Sequence, residues 1–276
     1  MLTPWLDQPG ARACLDTWSS RTGLDLVSLG TVAPPEVVRQ TDVAQPLLTA
    51  VALLSGRALL AGGRPELVCG HSIGELSALA LAGVITDDEA VELAAGRGSA
   101  MAEAAALAPT GMAAVLGGGE LDPEVVRAAG LEIATVNAPG QVVLGGPVEA
   151  LDAFVPPNGA RLRRLAVAGA FHTVAMAPAQ ERFATLVARL APADPVCGVI
   201  ANADGAVLHD GRQLLDRLVA QLTGPVRFDL CLGAATAATG AVELAPGGTL
   251  RALVRRVLPE LPVTALTAPS DLLVTA

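Results

Sequence analysis

Apolar and polar positions change period several times along the chain, and the changes divide it into elements. Residues 46–60, PLLTAVALLSGRALL, have helical spacing, with Ser55 and Arg57 interrupting the apolar stripe and Gly62-Gly63 closing the helix. Leu67-Val68-Cys69 is too short for a helix and reads as a buried strand that runs straight into Gly70-His71-Ser72-Ile73-Gly74. Helix formers follow from Glu75 to Ala82, with Leu76, Leu79 and Ala80 on one face and Gly83 at the end. Asp87-Asp88-Glu89 opens the next helix, its acids placed where the helix dipole favours them.

The middle of the chain has a different texture. Met112–Leu116 and Glu132–Val136 read as strands, Asn137-Ala138-Pro139-Gly140 is a turn signal, and Gln141–Leu144 is a further strand. Helical pieces lie at Pro123–Ala129 and after Pro147, and a last strand lies near Leu162–Val167. That order fits a small ferredoxin-like unit. Beyond residue 172 come helices at Pro178–Leu190 and Gly211–Leu222, with short strands at Val196–Ala201 and Ala241–Leu244. The expected class is α/β: a core with a parallel sheet from residues 1–110 and 173–276, and an inserted α+β subdomain at 111–172.

Composition narrows the function. The chain has 276 residues, 52% of them hydrophobic, enough for a large core, and its net charge is −9. A general nucleic-acid binder needs a basic face, so that class is excluded, as is a polybasic membrane anchor. All 18 basic residues are Arg, a bias that carries no mechanism. Cys14, Cys69, Cys197 and Cys231 are scattered without metal-ligand spacing; no metal site is expected, and buried free thiols in a reducing cytoplasm are. The start, Met1-Leu2-Thr3-Pro4-Trp5, has no basic n-region, and apolar runs are broken at Arg57 and Arg64, so a soluble cytoplasmic chain is expected.

The chemistry centres on Gly70-His71-Ser72-Ile73-Gly74, a G-x-S-x-G pattern between a strand and a helix. Such a turn crowds both glycines, lifts the Ser72 hydroxyl off the sheet and leaves the Ile73 N–H to donate to a developing oxyanion. The bland alternative is a glycine-bounded turn with a solvated serine. A serine nucleophile needs a base, and only three histidines exist. His71 adjoins the nucleophile, and its side chain diverges from it. His209 lies in a polar turn. His172, in Gly169-Ala170-Phe171-His172-Thr173, remains as the base by elimination. No acid presents itself as a third member, and a main-chain carbonyl would orient the imidazole as well.

Taken in order, Ala44-Gln45-Pro46-Leu47-Leu48, GHSIGE at 70–75, Arg97-Gly98, Asn137-Ala138-Pro139-Gly140-Gln141-Val142-Val143, GAFH at 169–172, Gln221 in VAQLTGPVRF and LAPGGTL at 244–250 resemble the malonyl-CoA:acyl carrier protein transacylase family and polyketide synthase acyltransferase domains. The resemblance spans nearly the whole chain. It implies an α/β-hydrolase-like core with a ferredoxin-like subdomain, and ping-pong transfer from coenzyme A through Ser72 to the phosphopantetheine thiol of an acyl carrier protein, in fatty-acid or polyketide synthesis. On this resemblance Arg97 grips the malonyl carboxylate, the Gln221 carbonyl orients His172, Phe171 disfavours a methyl branch, and Gln45 and Asn137 belong to the substrate site. No cofactor is implied: coenzyme A is a substrate and the phosphopantetheine belongs to the carrier. A monomer is expected.

The same resemblance implies a preceding apolar strand and a Gly-Gln-Gly-Ser-Gln-like loop whose Gln is a second oxyanion donor. Met1–Trp5 resembles the segment just after that loop, so a strand and loop of roughly 15 residues are expected to be missing here. Gln8 does not fit the pattern. Loss of one donor costs about 100- to 1000-fold in rate, which leaves a truncated inactive homologue as one alternative and a serine hydrolase or thioesterase using the same elbow as another. Arg161, Arg163 and Arg164 form the densest basic cluster for docking an acidic carrier, with Arg255-Arg256 second.

Overall fold

Helices dominate the first third. In the computed structural model, which describes residues 1–274, α1 (Ala11–Thr22), α2 (Leu26–Thr31) and α3 (Pro35–Val38) lead into α4 (Thr41–Leu60). The helix expected from Pro46 starts five residues earlier, so Pro46 lies inside it and leaves the Asp42 carbonyl without its helical donor. β1 (Leu67–Cys69), α5 (Gly74–Leu81) and α6 (Asp87–Ala105) follow. Thr86 and Glu89 form a reciprocal capping box at the start of α6, reinforcing the acids of its first turn.

In length and composition α4 could cross a membrane, but 61% of its apolar window is buried inside the protein, and Arg57 near its end pairs with Asp87 at 2.6 Å. It is a core helix. A Cβ at Gly98 on α6 would lie 2.7 Å from the Thr41 carbonyl oxygen, so glycine is what lets α6 lie this close to the start of α4. Gln45, one turn into α4, and Arg97, next to Gly98, are thereby brought face to face.

The next elements are β2 (Thr110–Leu116), α7 (Pro123–Ala128), β3 (Glu132–Ala138), β4 (Gln141–Pro147), α8 (Val148–Ala153) and β5 (Arg161–Arg164). After them come α9 (Ala177–Val187), β6 (Gly198–Ile200), β7 (Val207–Leu208), α10 (Gly211–Ala220), β8 (Val226–Arg227), α11 (Phe228–Ala234), β9 (Ala241–Glu243), α12 (Thr249–Val257) and β10 (Val263–Ala265). β5, β2, β4 and β3 lie side by side, all antiparallel, the strand order of a ferredoxin-like βαββαβ unit. One face packs on α7 and α8 through Ala113, Val115, Leu144 and Leu151. The other presents Met112, Ala114, Ala134 and Val143 to Leu165 and Phe171, as strand alternation requires.

Two features depart from expectation. β8, from the far end of the chain, adds to this sheet parallel to β3; two residues are too few for alternation to register in a sequence. The core sheet is also divided. β1 pairs parallel with β6, which carries β7 antiparallel, while β9 pairs with β10 in a separate parallel ribbon. No strand among the described residues joins β1 to β9. The main core is therefore mostly helix on helix, with Leu47, Leu53, Leu76, Leu79 and Phe183 around Val199 of β6.

Phe183 on α9 is fully buried in that core. Phe183→Ala is expected to cost about 3–5 kcal/mol of stability, seen as a lower urea midpoint with an unchanged slope.

Candidate active site

β1 ends at Cys69 and α5 begins at Gly74, which leaves four residues for the turn. A Cβ at Gly70 would lie 2.0 Å from the Gly74 carbonyl carbon, so this position admits glycine alone. Gly74 differs from expectation: the space where its Cβ would stand is open. Ser72 has φ +53°, in the left-handed region, a conformation that costs on the order of 1–3 kcal/mol and must be held from outside. Asn202 holds it. The Ser72 N–H donates to Asn202 Oδ1 at 2.8 Å, and Asn202 Nδ2 donates to the Gly70 carbonyl at 2.6 Å. Because β6 pairs with β1, Asn202, two residues beyond the end of β6, stands beside the turn just past the end of β1.

The Ser72 hydroxyl lies 2.7 Å from His172 Nε2. On the other side of the ring, His172 Nδ1 donates to the Gln221 carbonyl at 2.9 Å, which fixes the tautomer that leaves Nε2 as acceptor. Burial, aided by the nearby Arg97 charge, pushes the His172 pKa down to about 3, so the imidazole is neutral and free to accept a proton throughout the neutral range. His172 also has a left-handed backbone, φ +62°. The other histidines stand apart from the hydroxyl. His71 Nε2 lies 2.8 Å from Asn137 Oδ1 and its ring packs on Phe228, and His209 is exposed.

At the start of α5 the N–H groups of Gly74, Glu75 and Leu76 donate to the carbonyls of His71, Ser72 and Ile73. The Ile73 N–H has no acceptor among the described residues, and it lies at the positive end of the helix. Arg97 is 1% exposed. Its Nη1 donates to Gln45 Oε1 at 2.7 Å, and its Nη2 donates to Gln221 Oε1 at 2.7 Å and to Ser72 Oγ at 3.2 Å. Its Nε–H is buried without a partner. Burial lowers the guanidinium pKa to about 10, with Glu75 opposing the shift, so it stays charged at neutral pH.

The site residues anticipated from the sequence line one cavity of about 300 Å³, except Gln221, which lies behind Arg97 and His172. Phe171 and Met112 form part of its apolar wall. Sequence reasoning missed Asn202 and gave Glu75 no part beyond its place in the motif. The only signal for Asn202 is an amide just past a short apolar strand. The thiols were expected to be buried, yet only Cys231 is: Cys14 is exposed, and Cys69 and Cys197 are half-buried.

A serine on a strained strand-to-helix turn, a neutral histidine within hydrogen-bond reach and a buried guanidinium beside them make up a centre that has the chemistry to move acyl groups through serine. The acyl transferase domain profile matches residues 11–269, and the chain belongs to that family. It is 45% identical to the malonyl CoA-acyl carrier protein transacylase of Mycolicibacterium smegmatis over 285 residues, covering 99% of this chain and 98% of that protein. The crystal structure of MCAT from Mycobacterium tuberculosis superposes with a TM-score of 0.92 at 45% identity, covering 98% of this chain and 93% of that one. A malonyl-transacylase solved in complex with its type II PKS acyl-carrier protein superposes with a TM-score of 0.90 at 29% identity, covering 99% and 93%.

Asn202→Ala removes both holds on the turn. A displaced nucleophile is expected to lower kcat about 100-fold while KM changes little, as steady-state kinetics would record.

Proposed function

We propose that the chain transfers a malonyl group from coenzyme A to the phosphopantetheine thiol of an acyl carrier protein, through a malonyl-Ser72 intermediate, in fatty-acid synthesis. The observation that carries this reading is Arg97, a fully buried guanidinium 3.2 Å from the Ser72 hydroxyl with its Nε–H unpaired. A planar fork of donors suits a carboxylate, and a charged group in the acyl pocket has no use for a neutral ester. The relatives named as malonyl transacylases support the same substrate.

In this reaction His172 takes the Ser72 proton as the hydroxyl attacks the thioester carbonyl. The tetrahedral oxyanion takes the Ile73 N–H, and the imidazolium returns the proton to the departing coenzyme A thiol. The carrier thiol then repeats the sequence in reverse, its proton passing through His172 to Ser72. Arg97 holds the free carboxylate, Gln45 and Gln221 hold Arg97, and Phe171 narrows the wall against an α-methyl branch, a preference worth about 1–3 kcal/mol. The reaction needs no resident cofactor, and a cytoplasmic setting suits its two soluble substrates.

Intact-protein mass after mixing with malonyl-CoA tests the proposal. A malonyl adduct on Ser72 that persists until holo carrier protein removes it is the expected result. Release of free malonate without carrier would replace the transferase by a hydrolase.

The basic cluster expected to dock the carrier is split by the sheet. Arg161 and Arg163 stand opposite Leu116 and Ala114, on the face that also carries cavity residue Met112. Arg164 stands opposite Ala113 on the helix-covered side, 3.9 Å from Asp152. Charge reversal at Arg161 and Arg163 together is expected to raise KM for carrier protein about tenfold and to leave KM for malonyl-CoA in place, whereas reversal at Arg164 leaves carrier KM unchanged.

A further inference from the structure

The acidic residue that closes the GHSIGE segment has no part in the reaction as written, yet it lies at the centre of the polar network behind it. Glu75 is 6% exposed. One carboxylate oxygen accepts the Asn202 N–H at 2.7 Å, and the other accepts Gln221 Nε2 at 2.6 Å. Gln221 passes the contact on: its Oε1 accepts Arg97 Nη2 at 2.7 Å. The guanidinium can only donate, so the amide must turn its oxygen to Arg97 and its nitrogen away. That nitrogen has acceptors in Glu75, in Asn202 Oδ1 at 3.1 Å and in the Ser72 carbonyl at 3.3 Å. Glu75 is the nearest of these and the only one that carries charge.

From this geometry we infer that Glu75 is a positioning residue for carboxylate recognition, the buried counter-charge that holds Arg97 in place through the Gln221 amide. The inference rests on the malonyl reading of the site. The Glu75 carboxylate hydrogen-bonds neither the nucleophile nor the base. It acts on Arg97 through one intervening amide, and both of its oxygens face N–H donors, so the site requires an acceptor-only group there. A glutamine at this position must turn an NH₂ towards either the Asn202 N–H or Gln221 Nε2. Either choice sets donor against donor and loosens the contact that fixes Arg97 opposite Gln45.

Protonation of Glu75 has the same consequence as the amide, because a carboxylic acid places an O–H against one of two donors. The charged and titratable groups facing Glu75 are Arg97 on α6, Arg217 on α10, and the Cys69 and Cys231 thiols on β1 and α11. Desolvation around the sulfur atoms, aided by the Glu75 charge, pushes both thiols up, and they stay protonated. Burial raises the Glu75 pKa to about 7, against the pull of the Asn202 N–H and the two arginines. The carboxylate is therefore complete above that range and lost as pH falls through it, whereas His172 stays neutral there.

The test compares acylation of Ser72 by malonyl-CoA and by acetyl-CoA, which lacks the free carboxylate, in wild type and in Glu75→Gln. A defect of folding or of the nucleophile slows both substrates alike and cancels in their ratio. The expected result is a malonyl-to-acetyl ratio at least about tenfold lower in the variant, the size of one lost charge-assisted hydrogen bond. An unchanged or increased ratio overturns the inference. Should the variant not fold, the wild-type ratio between pH 8 and pH 6, roughly one unit either side of the titration, decides: it falls with Glu75 in this role and stays level without it. A wild type that shows no malonyl preference at all removes the malonyl reading itself, which keeps the two failures apart.

Discussion

Burial of one positive charge is the constraint around which the site is organised. Arg97 is nearly inaccessible to solvent, and an isolated ion in such a place would cost several kcal/mol. Among the described residues no carboxylate touches it directly. Two amide oxygens, from Gln45 and Gln221, take its terminal nitrogens, and the charge of Glu75 is set one amide away. A direct ion pair would satisfy the guanidinium fully and leave nothing for a ligand. The relayed arrangement keeps the charge stable enough to bury without closing it off in an ion pair, and its Nε–H stays buried without a partner among the described residues. Lysine would not serve, since an ammonium has no planar fork to meet two amide oxygens and a carboxylate at once.

Backbone packing makes that arrangement possible. The contact between α4 and α6 at Gly98 sets Gln45 opposite Arg97. The pairing of β1 with β6 brings Asn202 to the nucleophile turn. The segment from Gln221 to Arg227 links the two halves of the molecule: its first residue orients His172 and Arg97, and its last two form the strand that extends the small sheet. The cavity wall of Met112 and Val143 is thus tied to the same stretch of chain as the catalytic geometry. Both Ser72 and His172 hold left-handed backbones, conformations that persist only where neighbours over-determine them.

The sequence was most legible where local chemistry is distinctive. The strand, turn and helix around Ser72 are visible because a short apolar run, two glycines and a run of helix formers each leave a separate mark. The βαββαβ order is visible because its strands are long enough to alternate. His172 followed from scarcity, with two other histidines to eliminate. Asn202 and the network role of Glu75 were invisible because both depend on contacts more than 120 residues apart in the chain, set by strand pairing that no local pattern encodes. The divided core sheet was missed for a related reason: β1, β6 and β9 are visible as short apolar runs, but their partners are not, and β7 and β10 leave no mark of their own. Arg163 and Arg164 look equivalent in a basic run, yet alternation sends them to opposite faces.

In the proposed reaction, Arg97 and His172 together explain why a carboxylate matters to the rate as well as to binding. His172 is neutral in the empty site because burial and the Arg97 charge both oppose its protonation. In the proposed reaction it must nevertheless carry a proton while Ser72 attacks. A substrate carboxylate on Arg97 cancels part of the positive charge that opposes that step, so the malonyl group raises the proton affinity of the base it depends on. Each pKa unit recovered in this way is worth about 1.4 kcal/mol between the two protonation states, which sets an upper bound of about tenfold in rate. An acetyl group brings no such charge and meets a base that resists the proton. In the proposed reaction, selection by Arg97 would therefore act more strongly on the transition state than on the bound ground state, the condition under which a binding interaction raises kcat and does not merely lower KM.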